Sequence, residues 1–250
     1  IQAGILTAKN IIDATDAQYN TRVGSGAGNS FDGTNANRNT LIGYDAGTAI
    51  TGGDDNTLVG YQAGDAVTTG IENTFVGRST GGATNTGRSN VAMGYESFLA
   101  NTTGSYNTAL GYEALRSNTT ANSNSAVGEG ALRNNTTGAQ NIGIGRDALF
   151  NNTTASDNTA VGFRALDANT TGTENTAVGK DALGASNGDY NVAVGNDALL
   201  VATASNNTGI GCSALLTNTT GAENTAVGGR ALEANTTGTR NIAIGKESLS

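Results

Sequence analysis

Three sets of side chains recur at regular spacing with groups that could do chemistry. Asparagine followed by two threonines occurs at Asn101, Asn118, Asn135, Asn152, Asn169, Asn218 and Asn235, and each copy satisfies the acceptor pattern for N-linked glycosylation. The same asparagines are equally suited to form turns, because their side chains bond to nearby backbone. Carboxylates stand at Asp55, Glu72, Asp157, Glu174 and Glu223, each directly before another asparagine. They predict a solvated edge column, since calcium-binding nonapeptide repeats pair glycine with aspartate at a closer spacing. Tyr44, Tyr61, Tyr95 and Tyr112 share a third position, which suits a stacked surface column or a strip for carbohydrate contact. Catalytic combinations are missing from the sequence. There is no histidine, so histidine-based proton transfer and histidine-ligated metal are excluded, and the single cysteine, Cys212, has no imidazole to activate it and no partner for an intrachain disulfide. The reading is a protein that is not an enzyme and uses neither cofactor nor metal.

The 250 residues include 37 glycines and no proline or tryptophan, and only 14% are charged, against about 25% in an ordinary soluble domain. A net charge of -8 with 13 basic residues offers no concentrated cationic face for a phosphate backbone, so nucleic acid is not expected as a partner. No apolar run has the length of a membrane span, and no basic stretch precedes an apolar one as in a signal peptide. Ile1 at the start points to a processed chain or a fragment.

An internal repeat sets the positions of all these groups. The pattern Asn-Thr-Ala-Val-Gly, with close variants, starts at thirteen places from Asn39 to Asn241, at intervals of 17 residues except for two of 16 around Asn191. A looser copy starts at Asn20. Counting each Asn as position 0, the unit reads Asn-Thr-Ala-Val-Gly-Tyr-x-Ala-Leu-x-x-Asn-Thr-Thr-Gly-x-x. Such a unit is too short for a helical hairpin or a propeller blade, and its glycines at positions 4 and 14 break helices. The fold class is therefore all-β: a parallel β-solenoid, or β-roll, of about 17 residues per coil. A short strand is expected at positions 1–3, and a second strand or bend around the Ala-Leu pair. Residues 1–19 form a non-repeating cap or assembly segment, and residues 20–250 the solenoid. Stacking at about 4.8 Å per coil gives a rod of roughly 60 Å.

Position 3 is always apolar and position 8 is leucine from Leu115 onward. These two columns are the expected core, exemplified by Val127, Leu132, Ile144, Leu149, Val161 and Leu166. Position 2, such as Ala109, then lies on the other face of the strand, where small side chains suit packing against another chain. Asn107, Asn124, Asn141, Asn158 and Asn175 are expected to stack as an amide ladder, with Gly111, Gly128, Gly145, Gly162 and Gly179 making the turn after each strand. Position 1 is usually threonine but becomes Val91, Ile142, Val192 and Ile242 every third coil. The regular threonines also raise ice binding, provided that the face is flat. Two large apolar side chains per coil are few for a freestanding rod, which favours association of several chains.

Asn107–Leu115, Asn158–Leu166 and Asn224–Leu232 resemble the head repeats of trimeric autotransporter adhesins, whose Asn-x-x-x-Gly coils form a left-handed parallel β-roll. They are similar also to longer Asn-Thr-Ala-Val-Gly-Tyr-x-Ala-Leu arrays of bacterial surface proteins and of phage or virus fibres. The resemblance covers residues 39–250 and implies a β-structured shaft or head that is trimeric and left-handed, on a cell surface or virion fibre, with cell-surface glycans or proteins as partners. The end of the sequence inside a repeat suggests a rival assembly, in which Ile5, Leu6, Ile11 and Ile12 meet an exposed coil near Leu249 and build a head-to-tail filament.

Overall fold

The computed structural model describes residues 18–31, 35–185 and 187–250. Each coil contributes one three-residue strand: β1 (Thr21–Val23), β2 (Thr40–Ile42), β3 (Thr57–Val59), β4 (Thr74–Val76), β5 (Val91–Met93), β6 (Thr108–Leu110) and β7 (Ser125–Val127). The series continues with β8 (Ile142–Ile144), β9 (Thr159–Val161), β10 (Thr176–Val178), β11 (Val192–Val194), β12 (Thr208–Ile210), β13 (Thr225–Val227) and β14 (Ile242–Ile244). The looser copy at Asn20 thus supplies β1. The strands form a single 14-stranded sheet in sequence order. Neighbours pair parallel and in register, so that Ala109 lies between Ala92 and Ala126. The protein is a parallel β-solenoid, and among the described residues no helix is long and apolar enough to cross a membrane.

The glycine at position 4 ends each strand for two reasons. Gly111 has a φ of 141°, and a Cβ there would lie 2.4 Å from the carbonyl oxygen of Gly128 in the next coil. Backbone and stacking therefore both refuse a side chain. Beyond it the chain turns; the second strand or bend expected around the Ala-Leu pair is a turn with two left-handed residues, Glu113 at φ 54° and Leu115 at φ 50°. Coil-to-coil bonding continues through it, with Leu115 N–H donating to the Ala131 carbonyl at 3.0 Å and Ser117 N–H to Arg133 at 3.0 Å. A left-handed non-glycine residue costs about 1–3 kcal/mol. Burial of a leucine side chain returns about 1.5–3 kcal/mol, which holds Leu115 in place.

The core corrects one expectation. Position 3 is not inside: Val127 is 37% exposed, Ile144 is 41% exposed and Val161 is half-buried, while Ala126 and Ala160 between the outward residues are fully buried. The alternation along the strand is as read, but its phase is reversed. The alanine column faces its own coil rather than another chain, and Leu132, Leu149 and Leu166 meet it there. The coil is narrow, with room for one large side chain per level. A Cβ added at Gly143, in position 2, would sit 3.2 Å from Leu132 Cγ.

In the first coils the large residue changes sides. Leu41, Leu58 and Phe75 occupy position 2, and Gly47, Gly64 and Gly81 then replace leucine at position 8. From Ala92 and Phe98 onward the arrangement inverts. The 16-residue coils lose their residue in the turn before the next Asn: Asn175 Nδ2 reaches the Gly188 carbonyl at 2.8 Å, thirteen residues on instead of fourteen, and the strand register is kept.

Candidate functional site

The position-0 asparagines form a buried ladder that satisfies its own polar groups. Asn158 donates its backbone N–H to Asn141 Oδ1 at 3.0 Å, and its Nδ2 to the same oxygen at 3.2 Å and to the Gly172 carbonyl at 2.9 Å. Its own Oδ1 accepts from Asn175 N–H at 3.0 Å. Asn107, Asn124 and Asn141 repeat the backbone contact to the preceding asparagine at 3.0, 3.0 and 2.9 Å. The stacked amides are thus committed to the coil, since a buried amide left unbonded costs about 1–3 kcal/mol.

The Asn-Thr-Thr column is a second interior ladder. Asn118 Nδ2 donates to Asn101 Oδ1 at 3.1 Å and to the Ala121 carbonyl at 3.1 Å, and Asn135 and Asn152 continue the series. Asn101, Asn118, Asn135, Asn152, Asn169 and Asn218 are fully buried, and Asn235 is partly buried and bonded to Asn218 at 2.8 Å. The glycosylation reading is corrected accordingly: in the folded coil these amides are hydrogen-bonded inside the rod and do not reach a transferase. Ile50 and Val67 take the same position in the early coils, and Asn101 Nδ2 begins the ladder on Thr84 Oγ1 at 3.4 Å. Acceptor spacing alone could not distinguish this ladder from a glycan column. The replacement of Asn by Ile50 and Val67 was the available sign of an interior position.

The outward face of the sheet is built from positions 1 and 3. Position 3 presents an unbroken apolar column in which Met93 is 50% exposed. Position 1 presents threonine, Ser125, or the apolar Val91, Ile142, Val192 and Ile242. Beside it the position-5 aromatics stack on one another. The rings of Tyr44 and Tyr61 lie 5.3 Å apart at 11°, those of Tyr95 and Tyr112 5.3 Å apart at 9°, and the Arg78 guanidinium bridges the two pairs at 5.7 and 5.5 Å. The stacked rings and Arg78 cover the faces between them, which leaves edges, hydroxyls and the outer faces of Tyr44 and Tyr112 for any sugar.

In the carboxylate column before the repeat asparagines, Asp55 and Glu223 pair with arginines of neighbouring coils, and Glu72 accepts from Ser89 Oγ at 2.7 Å. Arg38 Nε lies 2.6 Å from Asp55 Oδ1, and Arg240 Nε lies 2.8 Å from Glu223 Oε2. These hydrogen bonds hold both carboxyls below the usual carboxylate range. Asp65 differs, since burial raises its carboxyl, with a smaller contribution from Asp45. Glu96 is lowered, first by the hydrogen bond from Tyr95 and then through Arg116. Among the described residues no group of three or more carboxylate or cysteine side chains gathers as for a metal ion. Cys212 is exposed, with its sulfur 3.6 Å from Ser213 Oγ. An open groove of about 170 Å³ is lined by Asp147, Phe150, Arg164 and Asp167, and Arg164 and Asp167 are bonded to each other at 2.8 Å.

Ile5, Leu6, Ile11 and Ile12 lie outside the described residues, and Leu249 is exposed. Comparison with protein-family models, with curated proteins and with solved structures finds no match to this chain.

Proposed function

We propose that this chain is a structural subunit of an extracellular fibre or filament, assembled by coil stacking or by association of chains. The observation that carries the reading is the continuity of the ladder. Fourteen strands pair in one register while the position-0 amides bond from coil to coil, so most polar groups of the interior serve rod rigidity. The proposed setting is a cell surface or virion fibre, with self-association as a trimer or a head-to-tail filament. Electron microscopy of purified material over a concentration series tests it. Long unbranched fibres with an axial repeat are expected, and discrete particles at every concentration would count against it.

A second reading, an adhesive head that binds a receptor or glycan, draws on the exposed column of Tyr44, Tyr61, Tyr95 and Tyr112. Repetition of weak contacts gives avidity. That reading requires cell or glycan binding by discrete particles, lost when these tyrosines are changed to serine.

A further inference from the structure

The outward sheet face carries no charge on any of the fourteen strands, whether at position 1 or at position 3. Thirteen steps of about 4.8 Å by a three-residue strand of about 10 Å make a strip on the order of 600 Å² before its borders are counted, against about 800 Å² per partner in a stable interface. Uncharged and half-apolar over that length, the strip exceeds the scattered apolar exposure of an ordinary surface.

We infer that a second copy of this chain docks on this face, rod beside rod and pointing the same way. The inference rests on the fibre reading and names the face through which chains associate. Three observations carry it. The first is the area, which a matching face would cover along the whole rod. The second is the apolar rhythm. Val91 with Met93, Ile142 with Ile144, Val192 with Val194, and Ile242 with Ile244 make wholly apolar rungs three coils, or about 14 Å, apart. An identical rod carries the same rungs at the same spacing. A slip of one coil sets each rung against threonine or serine, whereas the aligned register sets all four together.

The third is the sign of the borders. The column before the strand holds five carboxylates and two arginines, and the column after it, at position 5, holds Arg78, Arg146, Lys180 and Lys246 against Glu129. A twofold axis along the rods lays the first border of one copy on the second border of the other. Glu72 then meets Arg78 at one level and Glu174 meets Lys180 at another. A twofold axis across the rods, with the chains antiparallel, lays the acidic border on itself. The like pair of the parallel arrangement, Arg240 with Lys246, is neutralised within each chain by Glu223 at 2.8 Å and Glu247 at 3.3 Å. Lys180 also contacts Asp181 in its own coil at 2.9 Å, and the partner's Glu174 would share it. Charge at a border selects orientation and register more than affinity.

Sedimentation equilibrium of the full chain from micromolar to near-millimolar concentration tests the inference. The wild type is expected at twice the chain mass or more, and Ile142→Lys with Ile144→Lys to weaken association at least tenfold. Both side chains point outward, so circular dichroism should stay unchanged, and Thr137→Lys on an exposed turn should associate like wild type. Glu174→Lys should weaken association several-fold, and adding Lys180→Glu should restore it. A wild type that stays at single-chain mass overturns the inference, also where it shapes growing ice crystals and the face proves to order water instead. So does a double-lysine variant that associates like wild type. Fibres formed equally by that variant sink this face and leave the fibre reading standing, whereas pairs that never extend into fibres do the reverse.

Discussion

Gly81 lies against the ring of Phe75 so closely that a Cβ at Gly81 would be 2.4 Å from two of its carbons. The glycine is there because the ring has taken the space that leucine fills in later coils, where Ala109 faces Leu115 in place of Phe75 facing Gly81. Gly81→Leu alone is expected to overpack the level, at about 1–3 kcal/mol, and Phe75→Ala alone to open a cavity, at about 3–5 kcal/mol. The double variant rebuilds the arrangement of the later coils. It should be more stable than the sum of the two by at least about 2 kcal/mol in a urea-melt cycle, and simple additivity would show that the two positions do not share one space.

That exchange also explains what the sequence disclosed and what it concealed. The period, the strand at positions 1–3, its alternation and the asparagine ladder follow from spacing and from glycine's place after the strand. The phase of the alternation does not, because valine at position 3 and alanine at position 2 invite the larger residue inside. The rod reverses this since leucine at position 8 already fills a narrow coil. Leu41 with Gly47 and Leu58 with Gly64, set beside Ala126 with Leu132, were the legible sign: two positions whose sizes trade must face each other. The Asn-Thr-Thr column was misleading for a similar reason, as an acceptor pattern describes residue types and not the side of the coil on which Asn118 lies.

The amide ladder makes a prediction for charge. Asn141 Nδ2 donates to the Ala155 carbonyl at 2.8 Å while its Oδ1 accepts from Asn158 N–H at 3.0 Å. In Asn141→Asp the second oxygen confronts that carbonyl, so the folded state favours the protonated acid and raises its pKa above the unfolded value. Stability should then be lost as pH rises through the carboxylate range. The variant is expected to lie closer to wild type at pH 4 than at pH 7 in urea melts. An equal deficit at both values would show that the ladder tolerates the charge.

Asp65 is the opposite case to Asp55. Burial raises its carboxyl, so the ionised form weighs against folding at neutral pH, and the protein gains stability from this group as pH falls through the raised value. Asp65→Asn keeps an acceptor for the two backbone N–H groups at Asp65 and Ala66 and removes the charge that faces Asp45. It should melt above wild type at pH 7, with the difference vanishing below the carboxylate range. A lower melting point at pH 7 would mean that the carboxylate's hydrogen bonds outweigh its desolvation.

The left-handed residue before each strand supplies a final test. Gln140 has a φ of 59°, is exposed, and holds its coil through its backbone N–H, which donates to the Asn122 carbonyl at 3.1 Å. Its side chain has little to do, so substitutions there report on the backbone. Glycine relieves the left-handed strain but enlarges the freedom of the unfolded chain by about 0.4–1 kcal/mol, and the two effects nearly offset each other. A β-branched side chain is disfavoured there without compensation. Gln140→Gly should therefore stay within about 1 kcal/mol of wild type, whereas Gln140→Val should fall below it by about 1–3 kcal/mol. The same ordering should recur at Ser123, one coil earlier at φ 61°, because the strain belongs to the coil and not to one residue. Valine tolerated at both sites would mean that the corner can relax.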